Sequence, residues 1–174
     1  MGRTRYGEMT CSIARTLDVI GDAWTPLILR DLAIGITRFD TLQRDLGISR
    51  KVLSRRLAEL AGHGIVKAVP YQQNPPRHDY RLTERGAELV LVLIAMQSWG
   101  DRWVFGESEA PVVLRHDGCG ATTRAVLTCT SCGGELRPGE VTPLPGPGLR
   151  AGPGTTEAVA ALERLSEASA AGGP

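Results

Sequence analysis

Between Phe39 and Thr83 the chain sets a short apolar helix, a glycine turn, a basic helix and two extended runs joined by a proline-rich tip, an order that few folds accept. Asp40 is placed to cap a helix bearing Leu42 and Leu46, Gly47-Ile48 makes the turn, and Ser49 caps a second helix from Arg50 to about His63. Ile65 to Tyr71 and Asp79 to Thr83 read as strands. Between them Gln72-Gln73-Asn74-Pro75-Pro76-Arg77 forms a projecting loop that proline stiffens. A winged helix-turn-helix is built in this order, and its second helix enters a DNA major groove.

The flanking segments supply the helices that such a unit needs. Ile13, Leu17, Ile20 and Trp24 recur at helical spacing, which predicts one buried face on a helix from Ser12 to about Gly21. Thr25-Pro26 offers an N-cap followed by proline at the first helical position, and Gly35 stops a short helix carrying Leu27, Ile28, Leu29 and Leu32. Thr83 caps a long helix through Leu89, Leu93, Met96, Trp99 and Trp103, and Val90, Val92 and Ile94 widen its apolar surface beyond one stripe. A helix apolar on more than one side needs more than one partner. The other elements are small, so the expectation is a dimer interface, with the core of a monomer as its alternative.

Residues 106–145 change character, with short Thr/Val-containing runs, glycine pairs and three of the four cysteines. Pro143 to Gly154 reads as a linker, and Thr155 to Ala171 as a short amphipathic helix or a frayed tail. The expected organisation is a winged helix-turn-helix DNA-binding and dimerisation domain over 1–105, a zinc-knuckle module over 106–145, and a linker with a short helix or tail over 146–174. The fold class is mainly α with a β-wing, joined to a small zinc-ribbon-like β module.

A net charge of +1 suits a nucleic-acid binder poorly until it is divided along the chain. Residues 1–105 carry 15 Lys/Arg against 11 Asp/Glu, and residues 106–174 carry 5 against 8, so only the first part is suited to phosphate. The longest apolar run, Leu89 to Met96, is far short of the roughly 20 residues that span a bilayer, and no N-terminal stretch has the apolar core of a signal peptide. The expectation is a cytoplasmic protein with no membrane partner, whose cysteines are ligands or reactive thiols rather than disulfides.

On a helical wheel Leu53, Leu57 and Leu60 form the buried stripe of the second helix, and Lys51, Ser54, Arg55, Ala58 and Gly62 lie opposite. Arg50 and Arg56 flank that face and are placed for phosphates. An arginine there can fork onto guanine O6 and N7 or grip a phosphate. The bland alternative is a solvated basic helix face, which the turn before it and the loop after it disfavour.

Several separate motifs point the same way: the run from Cys11 to Thr25, Leu27 to Leu32, Arg38-Phe39, Leu53 to Leu57, Pro75 to Gly86, and Trp99-Gly100. Together they resemble the HxlR-type bacterial transcription regulators, relatives of the MarR group. The resemblance implies a homodimeric winged helix whose first and last helices form the interface, with Arg77 of the wing reaching a minor groove or its phosphates. Such a dimer would recognise an inverted-repeat operator in double-stranded DNA and would answer to anything that changes dimer geometry, a small-molecule effector included. The candidate DNA contacts are Arg38, Ser49, Arg50, Lys51, Ser54, Arg55, Arg56 and Arg77. Ser12 departs from the proline common in the family. Cys11 matches the family's N-terminal cysteine, which in some members senses electrophiles or oxidants. The peptide dipoles and Arg15 one turn on would favour its thiolate, and a small packed residue in the interface is the alternative.

A second site is His116-Asp117-Gly118-Cys119-Gly120 followed by Cys129-Thr130-Ser131-Cys132-Gly133. Each half sets a ligand, two residues, a cysteine and a glycine, the spacing with which two pairs wrap a tetrahedral ion. Three thiolates and one imidazole from His116, Cys119, Cys129 and Cys132 leave no open position, so one structural Zn²⁺ per chain is expected. A CxxC redox pair with a spare Cys119 leaves the matching HxxC unexplained. No Ser/His/Asp set, paired-carboxylate motif or phosphate-binding glycine loop is present, so no catalysis is expected. Two rival classes remain. A protein-docking module is separated from a DNA reader by a salt-dependent DNA shift, and a thiol redox protein is separated by metal content.

Overall fold

The computed structural model describes residues 6–171, and the first five residues of the expected N-terminal domain and the last three of the tail lie outside the described residues. In chain order the elements are α1 (Ser12–Ile20), α2 (Thr25–Ala33), α3 (Phe39–Leu46), α4 (Arg50–Gly62), β1 (Val66–Gln72), β2 (Arg77–Leu82) and α5 (Glu84–Gly100). A π-helical turn (Asp101–Phe105) extends α5, and β3 (Leu114–Arg115), β4 (Thr122–Thr123) and α6 (Thr156–Ala171) follow. The molecule is mainly helical with a two-stranded antiparallel wing.

The chain divides into two compact units, residues 22–126 and residues 1–21 with 127–174. The division cuts across the boundaries expected at 105 and 145, for reasons visible within each unit. Residues 106–126 are tied to α5, where Gln97 donates to the Val112 carbonyl at 3.1 Å and the Ala125 amide donates to Ser98 Oγ at 3.3 Å. In the other unit the Thr10 hydroxyl donates to the Arg150 carbonyl at 2.6 Å, and Gly154 lies so close to Met9 that a Cβ would stand 2.3 Å from its terminal methyl.

The unit 22–126 is organised around three short helices and the wing. Ile28 and Leu29 of α2, Leu42 of α3, and Leu53, Leu57 and Leu60 of α4 are fully buried, joined by Ile48, Ile65 and Val66. The expected stripe on α4 is therefore the face that makes the core. Gly47 takes φ +64 at the end of α3, a left-handed conformation that glycine adopts without steric penalty, and so sets the turn into α4. The Ser49 side chain accepts from the Val52 amide at 3.3 Å and caps α4 as expected. β1 and β2 pair in register from Val66↔Leu82 to Pro70↔His78, with an irregularity between Pro70 and Gln72. The Tyr80 amide donates to the Thr37 carbonyl at 2.8 Å, and Arg38 bridges to Asp79, so the segment before α3 is sewn to β2 on the side away from β1.

Three local expectations are corrected. Asp40 is not the cap of α3, because the helix begins at Phe39 with Arg38 as its N-cap, leaving Asp40 in the first turn. Thr25 is the first residue of α2 rather than its cap. Trp24 stands at the N-cap, and the side chain of Asp22 accepts from the Trp24 and Thr25 amides at 2.9 and 3.1 Å. The expected buried face of α1 is also largely open: Ile20 is buried, whereas Ile13 and Leu17 are 73% and 42% exposed, since no element of their own unit covers them. Within α5 and its π-helical extension Leu91, Met96, Trp99, Trp103, Val104 and Phe105 are exposed too.

The start of α5 is fixed by close approach. The Thr83 hydroxyl accepts from the Gly86 amide at 3.1 Å and donates to the Gly64 carbonyl at 2.7 Å, which presses Gly86 onto the end of the α4–β1 turn. A Cβ on Gly86 would lie 2.1 Å from the Ile65 carbonyl oxygen, whereas one on Gly62 would meet nothing within 4 Å. Gly86→Ala should therefore destabilise the fold by about 2–3 kcal/mol, since backbone must move to admit the methyl. Gly62→Ala should be neutral or stabilise by up to about 1 kcal/mol. Urea denaturation of both variants checks the pair, and equal midpoints would contradict the packing described.

Candidate nucleic-acid interface

The outer face of α4 is made by the residues left over when its leucine stripe is buried. Lys51, Ser54, Arg55 and Ala58 are all exposed there, and the wing loop beyond Gln72 projects from the same unit with Arg77 exposed. The tip is shaped locally: the Gln72 side-chain amide donates to the Asn74 carbonyl at 2.9 Å, and the Asn74-Pro75 peptide is cis.

Between the start of α3, the start of α4 and the wing lies a cleft of about 430 Å³. Arg38, Arg50 and Arg77 line it together with Phe39, Tyr71 and Tyr80. Two guanidinium groups lie against aromatic rings, Arg50 at 4.8 Å from the Phe39 centroid and Arg38 at 5.0 Å from that of Tyr71. Asp40 meets Arg50 at 2.5 Å, and that guanidinium, with weaker help from Arg77 and Arg44, holds the Asp40 carboxyl below its usual value. Arg38 Nε lies 3.9 Å from Asp79 Oδ1, and burial pushes the Tyr80 phenol above its ordinary value, so it stays a neutral donor.

Of the eight residues expected to touch DNA, seven stand on this surface and one does not. Arg38, Arg50 and Arg77 line the cleft, Lys51, Ser54 and Arg55 face outward from α4, and Ser49 is exposed while its hydroxyl caps the helix. Arg56 is turned inward. Its side chain is 12% exposed, with Nε 3.1 Å from Asp22 Oδ1 and a terminal nitrogen 2.6 Å from Glu59 Oε2, so its charge serves the fold and not a phosphate. The wheel missed this because position 56 borders the leucine stripe, where a long side chain can lie along the protein. Asp22 is the residue that sequence reasoning overlooked. It also receives the Thr25 hydroxyl, and its only signal was its place three residues before a proline-started helix.

The two cysteine-bearing halves make the same turn, each within its own unit. In the first, the Cys119 and Gly120 amides donate to the His116 carbonyl at 3.2 and 2.7 Å, Gly120 takes φ +73, and His116 Nδ1 lies 3.3 Å from Cys119 Sγ. In the second, the Gly133 amide donates to the Cys129 carbonyl at 2.8 Å with Gly133 at φ +74. The Cys132 amide, then that of Ser131, aims at the Cys129 sulfur and holds its thiol below the usual value. Left-handed glycines after each cysteine, and amides turned toward the Cys129 sulfur, are chemistry that thiolate ligands use, and each half by itself is compatible with a metal-binding pair. Among the described residues no three His, Cys, Asp or Glu side chains gather into one cluster. Cys11 stands at the N-cap of α1, half-exposed, and Arg15 donates to the Gly7 carbonyl. No helix of the described residues is long and apolar enough to cross a membrane.

Comparison with known proteins adds a family. Residues 19–108 match the model of the HxlR-like helix-turn-helix. An uncharacterized HTH-type transcriptional regulator of Mycobacterium tuberculosis H37Rv is 44% identical over 140 residues, covering 80% of this chain and 89% of its own. The crystal structure of PA1607, described as a candidate transcription factor, is 35% identical with a TM-score of 0.69 and covers 79% of this chain and 96% of that one. The redox regulator HypR in its reduced form is 34% identical with a TM-score of 0.50, covering 56% of this chain and 99% of that one.

Arg56→Ala should lower stability by about 3 kcal/mol, the low end for breaking a pair shielded from solvent, and leave DNA contacts untouched where the fold persists. Burial opposes ionisation of Asp22, but the Thr25 hydroxyl, the Trp24 and Thr25 amides and Arg56 outweigh it, so its folded pKa is depressed. The stability that it contributes is present at neutral pH and lost as pH falls through that depressed value. Thermal melts from pH 7 down to about pH 3 should therefore show a smaller acid-induced loss in Arg56→Ala than in the parent. Parallel curves would contradict the assignment.

Proposed function

The chain belongs to the HxlR-like helix-turn-helix family, a family of transcriptional regulators and not of enzymes, and we propose that it binds a specific double-stranded operator as a homodimer. The observation that carries this reading is the α4 surface, basic and hydroxylated outside and leucine-packed within. In this reading residues 49–63 enter a major groove, with Lys51, Ser54 and Arg55 toward base edges. The wing over residues 72–78 brings Arg77 to adjacent backbone or minor groove, and Arg38 and Arg50 grip phosphate. The exposed apolar residues of α1 and of α5 with its extension, Trp99 and Trp103 foremost, form the dimer interface, and two protomers read an inverted repeat. The regulator works in the cytoplasm and responds to an effector that alters dimer geometry. Cys11, on an interface helix, is where an oxidant or electrophile would act on that geometry, a reading that similarity to the redox regulator HypR supports.

The same proposal gives residues 106–145 one structural Zn²⁺ per chain, held by His116, Cys119, Cys129 and Cys132. The support is the repeated spacing and, in each half, an amide–carbonyl bond across the turn closed by a left-handed glycine. A segment with short two-residue strands and few buried side chains needs such a clamp to fold.

Arg55→Ala should cost about 1–3 kcal/mol of operator affinity and relax base preference at one position. Arg77→Ala should weaken all duplexes alike and make the salt slope shallower by about one unit. Binding isotherms across a salt series, on operator and shuffled duplexes, separate the two effects. An unchanged base preference in Arg55→Ala would remove it from the readout set.

Elemental analysis of protein purified without chelator should find one zinc per chain, and Cys132→Ser or a strong chelator should unfold residues 111–142 while the helical domain stays folded. A metal-free protein whose Cys119, Cys129 and Cys132 all alkylate freely in the native state would sink the zinc site.

A further inference from the structure

The cleft beside α4 contains a residue that the DNA reading does not use. Among the described residues Asp40 is the only acid lining it, beside three arginines, and it pairs with Arg50 at 2.5 Å. Both side chains are largely exposed, 65% and 67%, so the pair is in water and contributes little to holding the fold together. Asp40 does not cap α3, and no backbone amide is bonded to its carboxylate among the described residues. What the pair does achieve is placement. The Phe39 ring fixes one side of the Arg50 guanidinium, and the carboxylate takes one of its terminal nitrogens, a donor that a phosphate would otherwise use. Arg77, on the wing across the cleft, makes no ion pair within 4.0 Å among the described residues, and its field also falls on Asp40.

We propose that Asp40 is an internal phosphate mimic that competes with the DNA backbone for Arg50 and so holds down affinity for every duplex alike. The proposal rests on the DNA-binding reading above. When backbone enters the cleft, Arg50 exchanges one anionic partner for another rather than gaining one, and the displaced carboxylate is left facing phosphate. The sequence-independent part of binding is thereby weakened while the outward face of α4, Ser54 and Arg55, reads bases as before.

Asp40→Asn keeps the side chain's size and removes its charge. On a random-sequence duplex at about 50 mM salt it should bind roughly two- to fivefold more tightly than the parent, the range of one exposed ion pair, and the log–log salt slope should steepen by about 0.9. Base preference should not change. In an Arg50→Ala background, where no guanidinium is released, the same substitution should give a clearly smaller gain in affinity and in slope. Unchanged affinity and slope in Asp40→Asn, with duplex binding by the parent intact and the melting temperature unmoved, would overturn this inference alone. The same gain with and without Arg50 would overturn it as well, by showing a general charge effect. Failure of both parent and Asp40→Asn to bind any duplex would overturn the DNA reading together with it.

Discussion

Everything on the outer surface of α4 depends on how its inner surface is held. Leu53, Leu57 and Leu60 are fully buried and set the helix's rotation, and Arg56 pins it laterally to Asp22, the carboxylate that also receives the first amides of α2. One acidic side chain thus starts one helix and anchors another. Removing either partner would leave a charge with little water to solvate it, which is why this pair matters more to the fold than the exposed pairs around it.

The arginines consequently divide by environment rather than by position in the chain. Arg56 is enclosed and structural, Arg50 and Arg38 are exposed but held against rings and carboxylates, and Arg55 and Lys51 point outward. A guanidinium stacked on an aromatic ring loses little further freedom on binding an anion, so in the proposed reading the cleft is pre-organised for phosphate. Asp40 works against that readiness, and the balance between them is electrostatic and therefore sensitive to salt.

The second property left open by the fold is apolar. In its own unit α1 exposes Ile13, and in the other unit α5 with its π-helical extension exposes Met96, Trp99 and Trp103, apolar side chains that water disfavours and that the proposed dimer would bury. Cys11 stands at the N-cap of α1, the helix that exposes Ile13.

Local chemistry made much of this legible in the amino-acid order. Helix starts at Ser49 and Thr83, the turn at Gly47, the leucine stripe of α4 and the paired strands of the wing all follow from short-range rules of capping, glycine conformation and periodicity, and all appear where those rules place them. The cysteine spacing likewise announced two equal turns, each closed by a left-handed glycine. What the sequence could not decide were the pairings between residues far apart in the chain. Arg56 with Asp22, Arg50 with Asp40, and the grouping of residues 106–126 with α5 depend on which surfaces meet, not on local order. A charged residue next to an apolar stripe has the same sequence signature whether it faces solvent or a carboxylate 34 positions earlier. Only the tertiary packing that brings α4 against the start of α2 decides which, because the energy of an ion pair depends on distance and on exclusion of water, and neither is written in the chain.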